Sequence, residues 1–332
     1  MNEDIKSNAR NYTLDAIAGL LILRMIYGHM VGYAGLKNSF LFEICNALYF
    51  YMPWFFFKSG MFSQPYRMTV GGVKKEIKRL IVPYTVFTLV GLLTGIIYVS
   101  ITKEYSIFRE IQSQISSLVR LGFIGWSSHL WFLLSLFSVK IMYGMFLYRY
   151  NSYFIAFVAL SLAFIHNVYI APLGIIWGGC ICSGLFFYLA GKILKDKQYN
   201  KGTFIISLIV MVCVFMFRPT FISMFGNFVQ NNGTYLVWYP FCFCGIIVTN
   251  NLFKSVPRSL LNHLPIQYVG IHSMAYYLSH FSLLLLACRL FHYYGAGSDY
   301  MLLSYLCIGA FVLLPVLVWF LNTKKISILI GK

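Results

Sequence analysis

Acidic residues are scarce in this chain: nine Asp and Glu among 332 residues, against 26 Lys and Arg. Charged residues of both signs make up only 11% of the sequence, where a soluble domain carries about 25%. No polar stretch is long enough to stand apart, so the chain reads as one domain over 1–332 with no soluble extension. Also missing are G-x-x-x-x-G-K-[ST], G-x-S-x-G and H-E-x-x-H, which leaves P-loop ATP hydrolysis, serine-esterase chemistry and zinc proteolysis without support. The eight cysteines form no C-x-x-C pair. Cys180/Cys182 and Cys242/Cys244 are C-x-C pairs without His or acidic residues at ligand spacing. No metal site is therefore expected, and the thiols, Cys45 included, read as small apolar fillers. Basic residues precede the first apolar run, but that run is long and lacks a small-residue cleavage site, so it reads as a retained helix.

What the chain has in plenty is hydrocarbon: 59% of its residues are hydrophobic and 19% aromatic. Ten apolar spans emerge, at 13–33, 40–62, 80–101, 129–148, 153–170, 173–193, 203–218, 234–253, 266–290 and 300–321. The expected fold is an all-α polytopic membrane helix bundle surrounded by membrane lipids. A net charge of +17 would point to nucleic acid in a soluble chain. Here the basic residues follow topology, and no nucleic-acid partner is expected. Seventeen lie on one side of the spans, among them Lys6, Arg10, Arg67 and Lys192. Six lie on the other: Lys37, Lys103, Arg109, Arg120, Arg218 and Arg289. The positive-inside rule then puts both termini in the cytoplasm, in agreement with an even number of spans. The long outer segment 102–128 mixes polar and apolar residues and fits either a surface-lying amphipathic helix, a lid, or an ordinary connector.

The first span, LDAIAGLLILRMIYGHMV, carries three residues that hydrocarbon disfavours: Asp15, Arg24 and His29. Arg or Asp at a helix centre costs about 2.5–3.5 kcal/mol on insertion scales, so such residues face protein, water or a substrate path. Helical rise sets depth. His29 lies about 24 Å from Thr13, in the outer half, and His280 about 21 Å from Ile266. His129 opens a span that descends from outside. Three histidines on three helices thus reach one level, which favours a polar pathway over three separate core histidines. Asp15 sits about 21 Å below His29 and fits either helix-end charge complementarity or a partner for an inner cation. Arg24 is about 140° around the helix from His29, so it faces another span or an anionic substrate group. Lys58 ends the aromatic run FYMPWFFFKSG, and Lys74, Lys75, Lys78 and Arg79 crowd the segment after it. That cluster fits positive-inside anchoring, and equally an anionic cytosolic cofactor with several phosphates.

In order along the chain, LD-x-x-x-G leading to GH (Leu14, Asp15, Gly19, Gly28, His29), MPWFFFKSG (52–60), KRLIVPY (78–84), HLWFL (129–133), FFYLAG (186–191) and HSMAYYLSHF (272–281) resemble the acyltransferase 3 family. These are bacterial membrane proteins that O-acylate cell-surface and exported sugars. The resemblance covers nearly the whole chain. It implies a bacterial cytoplasmic-membrane O-acetyltransferase that takes its acyl group from cytoplasmic acetyl-CoA and passes it to a glycan or lipid-linked sugar. His29 would be the general base, His129 and His280 its supporting or oxyanion-side groups, and Ser273, Tyr276 and Tyr277 part of the acceptor path. Arg24 and Asp15 join the substrate-binding candidates, and Lys58, Lys74, Lys75, Lys78 and Arg79 the donor-binding ones. One position departs from the family pattern: an Arg is common eleven residues before the first-span histidine, where this chain has Ala18. Lys58 or Arg24 is the candidate substitute. A glycan transporter or flippase is the competing reading, since polar groups at mid-membrane also suit a transport route.

Overall fold

The computed structural model describes residues 11–36, 40, 43, 46–64, 66–195, 197, 199–216, 232–295 and 297–332. Cys45 and four of the counted cations (Lys6, Arg10, Lys37 and Arg218) lie outside them. Every regular element among the described residues is helical. Helix α1 (Tyr12–Tyr33) starts at Asn11, whose side chain accepts a hydrogen bond from the Leu14 amide at 3.1 Å. The short α2 (Tyr51–Met61) follows, then α3 (Val70–Thr102), with a π-turn at Ile77–Ile81. Helix α4 (Ile107–Leu121) leads through a 3-10 turn, Gly125–Leu130, into α5 (Trp131–Met142). The chain continues with α6 (Ser152–Ile165), α7 (Trp177–Leu194), α8 (Lys201–Met216), α9 (Asn232–Lys254) and α10 (Arg258–His263). It ends with α11 (Pro265–Ile271), α12 (Ser273–Tyr293), α13 (Asp299–Ile308) and α14 (Leu314–Leu321).

Seven stretches among the described residues are long and apolar enough to cross a membrane, and they match seven of the ten expected spans. The protein is a multi-pass helical bundle. The other three spans are not among those seven stretches. Within 40–62, the described residues include a turn at 47–50 that leads into the 11-residue α2, about 16 Å of helix, too short to cross by itself. Residues 203–218 yield the 16-residue α8. Residues 234–253 lie within α9, which accommodates Pro240 in its interior. A further correction concerns 266–290, expected as one span. It breaks at His272 (φ −105°, ψ 20°), which separates α11 from α12. The segment 102–128 is helical over 107–121 and presents an apolar stripe on an otherwise polar helix.

Helix α1 is the hub. It packs on α11 and α12 and also touches α2, α9, α10 and α13, so most of its length is buried. Two crossings are close enough to exclude any side chain. A Cβ at Gly19 would stand 1.8 Å from the Ile266 carbonyl oxygen, and one at Gly270 1.7 Å from that of Asp15. Likewise α2 meets α7 at Gly60 and Gly191, where a Cβ would lie 1.8 Å and 2.0 Å from the carbonyl oxygens of Tyr188 and Phe57. Without a hydrophobic drive between helices in lipid, such small-residue contacts fix how helices cross. At the periphery, Phe311, Val316 and Trp319 are exposed, as residues facing acyl chains are.

Candidate active site

The three histidines converge. His29 comes from the last third of α1, His129 from the turn before α5, and His280 from the second turn of α12. The ring of His280 stands 5.5 Å from that of His29 and 5.2 Å from that of His129, centroid to centroid. Phe281 completes the cluster, stacked on His129 at 4.8 Å and edge-on to His29 at 5.1 Å. His29 is partly accessible, whereas His129 and His280 are buried.

A cavity of about 250 Å³ opens onto this cluster. His29 and Met25 supply its α1 wall, one helical turn apart. Tyr49, Tyr51, Met52 and Pro53 form the wall at the start of α2, with Ser128, His129 and Trp131 opposite and Tyr277 from α12. His280 lies behind His29 and His129 with no accessible surface. Such aromatic walls with a few polar groups suit a small polar substrate that presents both apolar faces and hydroxyls.

The backbone decides the state of His280. Its Nδ1 lies 2.8 Å from the Tyr277 carbonyl oxygen and 3.0 Å from that of Tyr276, so Nδ1 carries the proton and donates. Its Nε2 then holds a lone pair, and that atom is buried without a hydrogen-bond partner among the described residues. His129 is held through its backbone, where the Tyr277 hydroxyl donates to its carbonyl oxygen. Neither of its ring nitrogens makes a hydrogen bond of good geometry.

Arg24 does not reach into the histidine cluster. Its guanidinium is sandwiched between the rings of Tyr49, at 4.7 Å, and Tyr51, at 4.3 Å. The cation thus stiffens one wall of the cavity by cation–π contact, although it lies on another face of α1 from His29. Asp15 is at the far end of α1, where Lys58 approaches its carboxylate to 3.7 Å and also donates to the Leu14 carbonyl oxygen at 3.3 Å. Lys58 therefore stands one helical turn from Ala18, itself fully buried. Ser273 and Tyr276 are not in the cavity wall. Ser273 starts α12, and Tyr276 is buried beside Tyr268.

Lys74, Lys75, Lys78 and Arg79 form an exposed cationic face on the first turns of α3. Thr69 caps that helix end, its hydroxyl accepting from the Gly72 amide at 3.2 Å. Glu76 points the other way and pairs with Lys140 of α5 at 2.5 Å. Lys140 is eleven residues beyond His129, about 16 Å along the helix, so the cationic face and the histidines occupy opposite ends of α5. Several wall residues escape a reading by charge. Tyr51, Met52 and Pro53 sit in the aromatic run before Lys58, and Ser128 and Trp131 flank His129, but nothing in their spacing marks a cavity. Among the described residues, no group of three His, Cys, Asp or Glu is arranged to hold a metal ion. The seven described cysteines are free thiols.

No curated protein and no solved structure gives a significant match to the chain. A family model described as an acyltransferase domain, that of the acyltransferase 3 family, matches residues 11–328. With helices throughout and a buried histidine cluster opening onto a small cavity, the chain is a membrane protein of the acyltransferase 3 family.

Proposed function

We propose that this protein is an O-acetyltransferase of a bacterial cytoplasmic membrane. It takes acetyl from cytoplasmic acetyl-CoA and delivers it to a hydroxyl of a cell-surface or exported polysaccharide sugar, or of its lipid-linked precursor. The observation that carries the reading is the meeting of His29, His129 and His280, from three separate helices, at one aromatic-walled cavity.

His29 is the base in this reading, because it is the cluster member on α1 that is both accessible and in the cavity wall. A sugar hydroxyl is a weak nucleophile at neutral pH and needs a positioned proton acceptor. As the hydroxyl oxygen attacks the thioester carbonyl, its proton passes to the His29 imidazole. The carbon–sulfur bond then breaks, and the departing thiolate takes that proton back from His29. The products are an O-acetyl ester and free CoA thiol. His280, with Nδ1 bound to backbone carbonyls, supports His29 from behind as a neutral imidazole. The tyrosine pair braced by Arg24 offers aromatic faces to a pyranose ring.

The cationic face on α3 and Lys58 serve the donor, whose phosphates need positive partners. Lys58, one turn from Ala18, stands in for the family's missing Arg. A mixture of purified protein, acetyl-CoA and the surface polysaccharide of the source cells tests the reading. Free thiol should appear together with acetylated sugar, read by mass spectrometry. A transporter or flippase would release no thiol, and that outcome would replace this reading with the competing one.

A further inference from the structure

The amphipathic helix α4 exposes Phe108, Ile115 and Val119, yet it buries one carboxylate, Glu110, only 2% exposed. A buried carboxylate is costly unless several donors surround it. Glu110 has three. Oε1 accepts from Trp126 Nε1 at 2.6 Å and from Gln114 Nε2 at 2.9 Å, and Oε2 accepts from the Tyr105 hydroxyl at 2.8 Å. Burial first, and then the bond to Glu110, push the Tyr105 hydroxyl up to about 12, so it remains a donor at every physiological pH. On α3, Gly95 leaves room for this knot, since a Cβ there would stand 2.6 Å from Glu110 Oε1 and 2.5 Å from Trp126 Nε1.

The knot is tied to the turn that carries His129. Gln114 Oε1 accepts from the Gly125 amide at 2.7 Å, and the Trp126 carbonyl accepts from the Ser282 hydroxyl of α12 at 2.8 Å. Ser127 donates to the Phe87 carbonyl at 3.0 Å and has a non-helical backbone (φ −140°, ψ 39°). His129 follows two residues later. Its ring lacks hydrogen bonds of good geometry, so the turn's backbone and ring packing set its position.

We propose that Glu110 is a positioning residue for the histidine cluster: its carboxylate clamps α4 to the turn Gly125–Leu130 and so holds His129 against His280. Its effect on acetyl transfer rests on the reading of the cavity as an acyl-transfer site, whereas the clamp itself does not. Glu110→Ala removes the acceptor of all three donors. Glu110→Gln keeps a carbonyl oxygen for Trp126 and Gln114, and its amide can donate to the Tyr105 oxygen.

Two readouts on purified full-length protein in detergent test the clamp. Hydrogen exchange over residues 122–131 should quicken in Glu110→Ala while exchange in α1 stays at the wild-type rate. Thiol release, with acetyl-CoA and the surface polysaccharide of the source cells, should show kcat lower by about 10²-fold with KM for acetyl-CoA nearly unchanged, the size of effect an ångström of misplacement gives. Glu110→Gln should recover kcat to within about tenfold of wild type. Wild-type exchange over 122–131 in Glu110→Ala, or wild-type kcat with quickened exchange, would overturn the proposal, as would a Gln variant as impaired as the Ala one. If the wild type itself releases no thiol, the functional reading fails while the exchange result still decides the clamp. If Glu110→Ala does not fold, Trp126→Phe, which removes one donor and keeps an aromatic side chain, takes its place with the same two readouts and the same outcomes.

Discussion

At the scale of single residues, the site depends on backbone carbonyls as much as on side chains. Tyr277 holds the His129 carbonyl, and the carbonyls of Tyr276 and Tyr277 fix the proton of His280. Tyr277→Phe leaves a buried carbonyl without its partner, a loss of about 1–2 kcal/mol, and should lower acetyl transfer by about tenfold with the fold intact. Steady-state kinetics beside a melting curve checks it. Lys58→Gln breaks the pair with Asp15 and removes a cation that stands one helical turn from Ala18. It should raise KM for acetyl-CoA by about tenfold and leave kcat within about threefold, the pattern of lost ground-state binding. The shared level of the three histidines was legible in the sequence, because helical rise converts residue number into depth. The tyrosine wall was not. Tyr49 and Tyr51 owe their place to the turn before α2 and to the guanidinium of Arg24, and neither leaves a period in the sequence.

At the scale of elements, helix crossings decide whether the cluster assembles. The α1–α11 and α2–α7 contacts bring backbone against backbone, so Gly191→Ala forces a Cβ to 2.0 Å from the Phe57 carbonyl oxygen. Overpacking of this kind costs about 1–3 kcal/mol, and thermal unfolding in detergent should show the loss. Gly309→Ala, where nothing among the described residues lies within 4 Å, should be neutral or slightly stabilising in the same assay. The seven long apolar runs were readable from composition alone. The break at His272 was not, since neither Pro nor Gly occupies the break itself. Gly270 reads as an interior helix residue until its contact with Asp15 is seen. The turn at 47–50 was hidden for a related reason, because a run such as ALYFYMPW looks equally apolar as turn or as helix.

At the scale of the whole molecule, transfer from a cytoplasmic donor needs an axis, with the cationic face of α3 toward the cytoplasm and α4 outside. Lys75 and Arg109 are both exposed and test that axis. Introduced singly into a cysteine-depleted chain, Lys75→Cys should resist a membrane-impermeant maleimide in intact cells, and Arg109→Cys should react. The reverse pattern would invert the topology and put the cavity's donor side outside. The central claim is that His29 moves the proton, and its most direct test is acetyl transfer by His29→Gln, which keeps a polar side chain but no titratable ring. The account predicts a folded protein whose transfer rate falls by about 10²-fold or more. A folded His29→Gln protein that acetylates at the wild-type rate would contradict it.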